Sequence, residues 1–217
     1  GFMDDSFFSD KAWLKDFFAG ISTMSAKYCC IGRADHLTEE DVAGLAASGC
    51  IYVAIGIETG NQLRQKKLKK YLDLERVKAS VKLLKHFGVF CKGFFMLGFP
   101  DETPQEMLET INFAVELSQL GMGECSFFPV SIYPGTELAE QFPEACRASK
   151  VYESGDSVQN PDDFAETRMQ RYANIPDANI NAYFTAEQIL RIVRFAYHCV
   201  EAGSQASPAD LTAASEL

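Results

Sequence analysis

Apolar residues recur along this chain with two different periods, and the alternation between them predicts its architecture. Thr38 precedes Glu39, Glu40 and Asp41, after which Val42, Leu45 and Ala46 fall on one helical face and Gly49 supplies a left-handed stop. Asp73 caps a run of Leu74, Val77, Val81 and Leu84 that lasts until Gly88. Thr103, Pro104, Gln105 and Glu106 form a capping box with proline at the first helical position; Met107, Ile111, Ala114 and Val115 follow before Gly121. Thr185, Ala186, Glu187 and Gln188 repeat the device ahead of Ile189, Ile192, Val193 and Ala196. An earlier helix over 11–19 takes Trp13, Leu14, Phe17 and Phe18 as its buried stripe.

Between these helices lie short apolar runs at 28–31, 51–57, 90–97 and 126–132, rich in Val, Ile and Phe. They do not alternate with polar residues, the pattern of strands covered on both faces, so parallel pairing is expected. Helix and strand follow one another at roughly the 30-residue period of a βαβ unit, which predicts an α/β fold with a right-handed parallel sheet. Beyond Leu138 the period is lost. Residues 141–183 contain Pro143, Pro161 and Pro176 among several Asn and Asp, and read as a long irregular connection. A helix over about 185–202 follows, then a small, polar tail over 204–217 that is expected to fray. The expected division is a core over 1–140 and an extension over 141–217.

Composition narrows the function. Hydrophobic residues make up 47% of the 217, enough for a buried core. A net charge of −10 argues against a broad nucleic-acid or anionic-membrane surface. The apolar runs fall short of a membrane span and the opening residues lack the pattern of a signal peptide, so a cytoplasmic protein is expected. Seven cysteines, an odd number mostly within apolar runs, read as reduced buried thiols. The chain opens on Gly1 and runs at once into Asp4 and Asp5, as a piece of something longer would.

In a parallel sheet, ligands gather beyond the carboxyl ends of the strands. Those ends carry Gly32, Arg33, Ala34 and Asp35; then Gly56, Ile57, Glu58, Thr59 and Gly60; then Gly98, Phe99, Pro100, Asp101, Glu102 and Thr103; and finally Tyr133, Pro134, Gly135 and Thr136. Together with the opening Phe2, Met3, Asp4 and Asp5, with Gly49-Cys50 and with Lys70, this ordered set resembles the radical S-adenosylmethionine (SAM) superfamily, and within it the branch associated with cobalamin-binding domains.

The resemblance spans residues 1 to about 140. It implies the C-terminal portion of a TIM-like partial (β/α) barrel with a C-terminal helical extension, SAM lying across the strand ends. It also implies a four-iron, four-sulfur (4Fe-4S) cluster held by a Cys-x3-Cys-x2-Cys loop, and possible cobalamin on a separate domain. The sequence departs from the pattern at the cluster, because its cysteine spacings nowhere supply that triplet. The expected identity is therefore a fragment of an iron-sulfur oxidoreductase or methyltransferase that is itself inactive. A cluster-free α/β binding module is the alternative.

Carried over by position, Glu58 resembles the acidic residue near the SAM ribose or amino-acid portion, with Thr59 beside it. Lys70 stands where relatives have a basic residue able to meet the SAM carboxylate, although Arg64, Lys66, Lys67, Lys69 and Lys70 also read as a solvated helix face. Arg33 suits a bidentate carboxylate contact or a structural pair with Asp35. Asp4 and Asp5 match the approach to the methionine amino group, Gly98 a turn beside the cofactor, and Tyr133 the backbone near the adenine. No metal ligand is assigned. A strand edge at 28–31, left open, would favour a homodimer with this small-molecule enzyme.

Overall fold

The computed structural model describes residues 1–2, 6–148 and 180–216. Four parallel strands, β1 (Tyr28–Gly32), β2 (Cys50–Glu58), β3 (Phe90–Leu97) and β4 (Glu124–Pro129), form one sheet in the order of the chain. Helix α1 (Lys11–Ser22) precedes β1, and α2 (Glu39–Ala47) joins β1 to β2. Helices α3 (Gln62–Lys67) and α4 (Leu74–His86) lie between β2 and β3, and α5 (Pro104–Leu120) leads to β4. Beyond the sheet come α6 (Glu137–Gln141), α7 (Pro143–Ala148), α8 (Ala186–Ala202) and α9 (Pro208–Glu216).

The capping signals act where the sequence puts them. Thr38, Thr103 and Thr185 each close a capping box with the residue three places on. Asp73 accepts the N–H groups of Glu75 and Arg76. Gly121 (φ 117°) and Gly203 (φ 63°) end α5 and α8 in the left-handed region, where a Cβ would be strained.

The strands differ from expectation. Burial alternates along β1 and β3, buried then half-buried, instead of being continuous. Val53, Ile55, Phe95 and Leu97 point into one core with Val81, Ile111 and Val193 of α4, α5 and α8. The opposite face carries Tyr52 stacked on Phe90, Phe94 against Phe128, and Lys92 paired with Glu124. That face is half-buried because no described helix covers it, so the sheet is a barrel wall with helices outside.

Other expectations also need correction. β4 lies at Glu124–Pro129, not 126–132, because Pro129 ends the ladder with β3. Trp13 is 46% exposed, and only Leu14 of the α1 stripe is fully buried. The edge at 28–31 is not open: Phe2 N–H donates to the Cys29 carbonyl and Phe7 N–H to that of Ile31. The tail is not frayed, since α9 buries Leu211 and packs on α8 and α5. Asn112 fastens its approach by bonding both the N–H and the carbonyl of Ala206. Most of the connection expected over 141–183 lies outside the described residues.

Candidate functional site at the strand ends

Because the four strands run parallel, Arg33, Glu58, Gly98 and Tyr133 all lie at or just beyond carboxyl ends and share one rim. What each side chain does there depends on its local backbone.

Glu58 is the last residue of β2 and has φ 68°, a left-handed value for a residue with a side chain. The register of β2 against β3 slips between Gly56 and Glu58, which re-aims the Glu58 side chain as a bulge does. It lands over Gly56, where an added Cβ would sit 2.7 Å from Glu58 Oε1 and 2.8 Å from Lys70 Nζ. Gly56 thus leaves the space in which these two charges meet, and Lys70 Nζ donates to Glu58 Oε1 at 2.6 Å. The two side chains are 20% and 24% exposed, sheltered but reachable.

Lys70 is held there by a contorted segment. Its neighbours Lys69 (φ 56°) and Tyr71 (φ 54°) are both left-handed, and the N–H groups of Lys70 and Tyr71 converge on the Gln65 carbonyl. Left-handed backbone costs roughly 1–2 kcal/mol at each such residue, so three of them around one ion pair mark a place where geometry prevails over local preference. Arg33 completes the brace. It forms the fork with Asp35 and also donates to the Lys70 carbonyl at 2.9 Å. Arg33, Glu58 and Lys70 therefore form one cluster, with Arg33 positioning the backbone of Lys70.

The remaining candidates are placed differently. Thr59 is fully buried and turned toward α5, its hydroxyl bonded to Thr110 and to the Asn61 N–H. Gly98 (φ 96°) gives its N–H to Glu102 and lies under Ile189, so it shapes the turn. Tyr133 is 38% exposed and begins a turn in which its carbonyl accepts from Thr136. Asp4 and Asp5 lie outside the described residues. The basic run is no uniform solvated face: Arg64 is 1% exposed, while Lys67 pairs with Asp101 and Lys69 with Glu137.

The sequence reading missed a second cluster on this rim. Arg64 binds Asp101 and Glu106, and its guanidinium lies over the Phe99 ring. Burial opposes its charge, but the bonds to Glu106 and Asp101 prevail and hold the guanidinium above its ordinary range. Glu102 is fully buried and accepts the N–H groups of Gly98 and Phe99 through Oε2. Asn181 donates to the Phe99 and Glu102 carbonyls, joining the residues after the connection to the loop after β3. Glu102, four places after Gly98, was visible as a helix-start carboxylate; Asn181 stands in no periodic pattern.

Of the groups implied by the resemblance, SAM and the cluster fit unequally. A neighbouring carboxylate and ammonium, sheltered and beside a glycine gap, match the amino-acid end of SAM, whose ammonium and carboxylate could exchange with them. The cluster does not fit: among the described residues no group of three or more Cys, His, Asp or Glu could hold a metal ion. All seven cysteines are free thiols, and the pair Cys30 and Cys50, 3.9 Å apart, lies in the core.

Comparison with known proteins bears on the family and the fold. Residues 20–114 match the profile of the Radical SAM superfamily. The chain is 27% identical over 198 residues to an uncharacterised methyltransferase of Pyrococcus horikoshii, covering 90% of this chain and 39% of that protein. It is 30% identical over 150 residues to the cytidylyl-2-hydroxyethylphosphonate methyltransferase of Streptomyces wedmorensis, 64% of this chain and 27% of that one. Among solved structures, the radical SAM methyltransferase TsrM of Kitasatospora setae, with cobalamin and an iron-sulfur cluster bound, superposes with a TM-score of 0.56. The two share 19% identity, with 68% of this chain and 28% of that chain covered, a likeness of fold. The chain thus spans well under half the length of these relatives.

Proposed function

From the match of residues 20–114 to the Radical SAM superfamily we propose that this chain belongs to it and supplies the SAM-facing barrel wall of a methyltransferase. The observation that carries the reading is the Glu58 and Lys70 pair over Gly56 at the end of β2. Its relatives named as methyltransferases support the reaction class over an oxidoreductase.

When bound, SAM supplies the methyl group. The chain's own residues orient it: Glu58 accepts from the ammonium, Lys70 donates to the carboxylate, and Arg33 keeps Lys70 in reach through its carbonyl. A zwitterionic ligand replaces one internal ion pair by two intermolecular ones, so neither charge is left unpaired on binding. The cluster, and any cobalamin, must be held by residues other than those described here. The chain spans well under half the length of its methyltransferase relatives, which supports this wall contributing to a reaction completed within a longer protein.

Equilibrium binding tests the reading. SAM should bind the chain at least about tenfold more tightly than 5′-deoxyadenosine, which lacks the amino-acid end, a difference of about 1.4 kcal/mol. Equal affinities would remove the assigned role of the pair. In parallel, the chain treated anaerobically with iron and sulfide should stay colourless and form no 5′-deoxyadenosine from SAM; reproducible cleavage would overturn the assignment of the cluster to other residues.

A further inference from the structure

The loop after β3 is built around one buried carboxyl group with unequal oxygens. Oε2 of Glu102 accepts two backbone N–H groups, from Gly98 at 2.6 Å and Phe99 at 3.1 Å. Oε1 is equally buried and has no partner. The same loop is clasped from outside. Asn181 donates to the Phe99 carbonyl at 2.7 Å and to the Glu102 carbonyl at 3.0 Å, and Ala182 N–H donates to the Pro100 carbonyl. Asn181 Oδ1 accepts the N–H groups of Tyr183 and Phe184, which fixes the approach to α8. Glu102 therefore sits where the loop after β3 meets the segment 180–184.

We infer that Glu102 is a proton-operated latch: when neutral it holds the loop after β3 and the 180–184 segment closed on each other, and when ionised it loosens them. An unpaired buried carboxylate oxygen is far more costly than an unpaired neutral one. The neutral acid keeps Oε2 as acceptor for both N–H groups and removes the charge from Oε1. Arg64 on α3 favours the anion, while Glu106 on α5 opposes it. Asp101, next in the loop, is itself engaged by Arg64 and Lys67. Asn181 and Ile189 approach from the C-terminal elements and carry no charge. Burial outweighs the two N–H bonds and Arg64, and pushes the carboxyl up to about 7.

The sign follows from linkage. Because the folded group binds its proton more tightly than the unfolded one, its stabilisation is complete below the ordinary carboxylate range and is lost as pH rises through about 7. Two measurements test the latch. Carbon-13 NMR of the Glu102 carboxyl should give a midpoint above about pH 6; a midpoint below about pH 5 overturns the proposal whatever a variant does. Glu102→Gln keeps an acceptor for both N–H groups and cannot ionise. The Tm of the native chain relative to that variant should fall between about pH 5 and pH 8, and amides of 98–103 and 180–184 should lose exchange protection in the native chain alone. A constant Tm difference, or equal loss in both proteins, overturns it. Should the variant fail to fold, the NMR midpoint decides.

Discussion

The ends of β2 and β3 stand side by side on one rim and use their ionisable groups in opposite ways. After β2, Glu58 and Lys70 are partly exposed, meet over a glycine gap and depend on three left-handed residues. After β3, Arg64 and Glu102 are buried and spend their hydrogen bonds on the protein's own loop. A polar group that fastens backbone cannot also be free to meet a ligand. Under the proposed function the cluster after β2 is the binding side, and the cluster after β3 is the frame that fixes its neighbour strand.

This division is open to attack, most forcefully at Arg64. Arg64→Ala takes the guanidinium from Asp101 and Glu106, leaving Glu106 only its bonds from Thr103, and opens a cavity, and should lower stability by about 3–5 kcal/mol in urea unfolding. A loss below about 1 kcal/mol would show that the β3 frame does not depend on it. Asn181→Ala removes two donors to buried carbonyls and an acceptor for two N–H groups, with an expected loss of about 2–3 kcal/mol by the same measurement and little change in SAM affinity. A large affinity loss with stability intact would move Asn181 from frame to site.

Gly56→Ala sharpens the contrast from the other side. Its Cβ meets only the flexible tips of Glu58 and Lys70, so stability should change by less than about 1 kcal/mol while SAM binding falls. Lys69→Ala is the smallest expected effect. Its pair with Glu137 is exposed on both sides, so thermal unfolding should show no resolvable change in Tm.

The same contrast explains what the sequence could and could not reveal. The helices are legible because Thr38, Asp73, Thr103 and Thr185 cap within their own turns, a local chemistry that needs no tertiary partner. Glu58 and Lys70 are legible by their order along the chain, but their meeting depends on a register slip and on left-handed backbone at Lys69 and Tyr71, which carry no signal in residue type. Arg64 hides within a basic run because its carboxylate partners are 37 and 42 residues away. The strands misled for a related reason. Phe94 and Met96 are as apolar as buried residues, yet line the half-covered face of the barrel wall.

The central claim is that Glu58 and Lys70 recognise the amino-acid end of SAM, and calorimetry with two variants tests it most directly. Glu75, at the exposed start of α4, forms its ion pair among the described residues with Lys78 three places on, which makes Glu75→Ala the matched control. Glu58→Ala should weaken SAM binding by about 1–3 kcal/mol, with folding intact and the affinity for 5′-deoxyadenosine unchanged, while Glu75→Ala leaves both as they are. Equal SAM affinities in the two variants would contradict the account and leave the Glu58 and Lys70 pair as a brace within the fold.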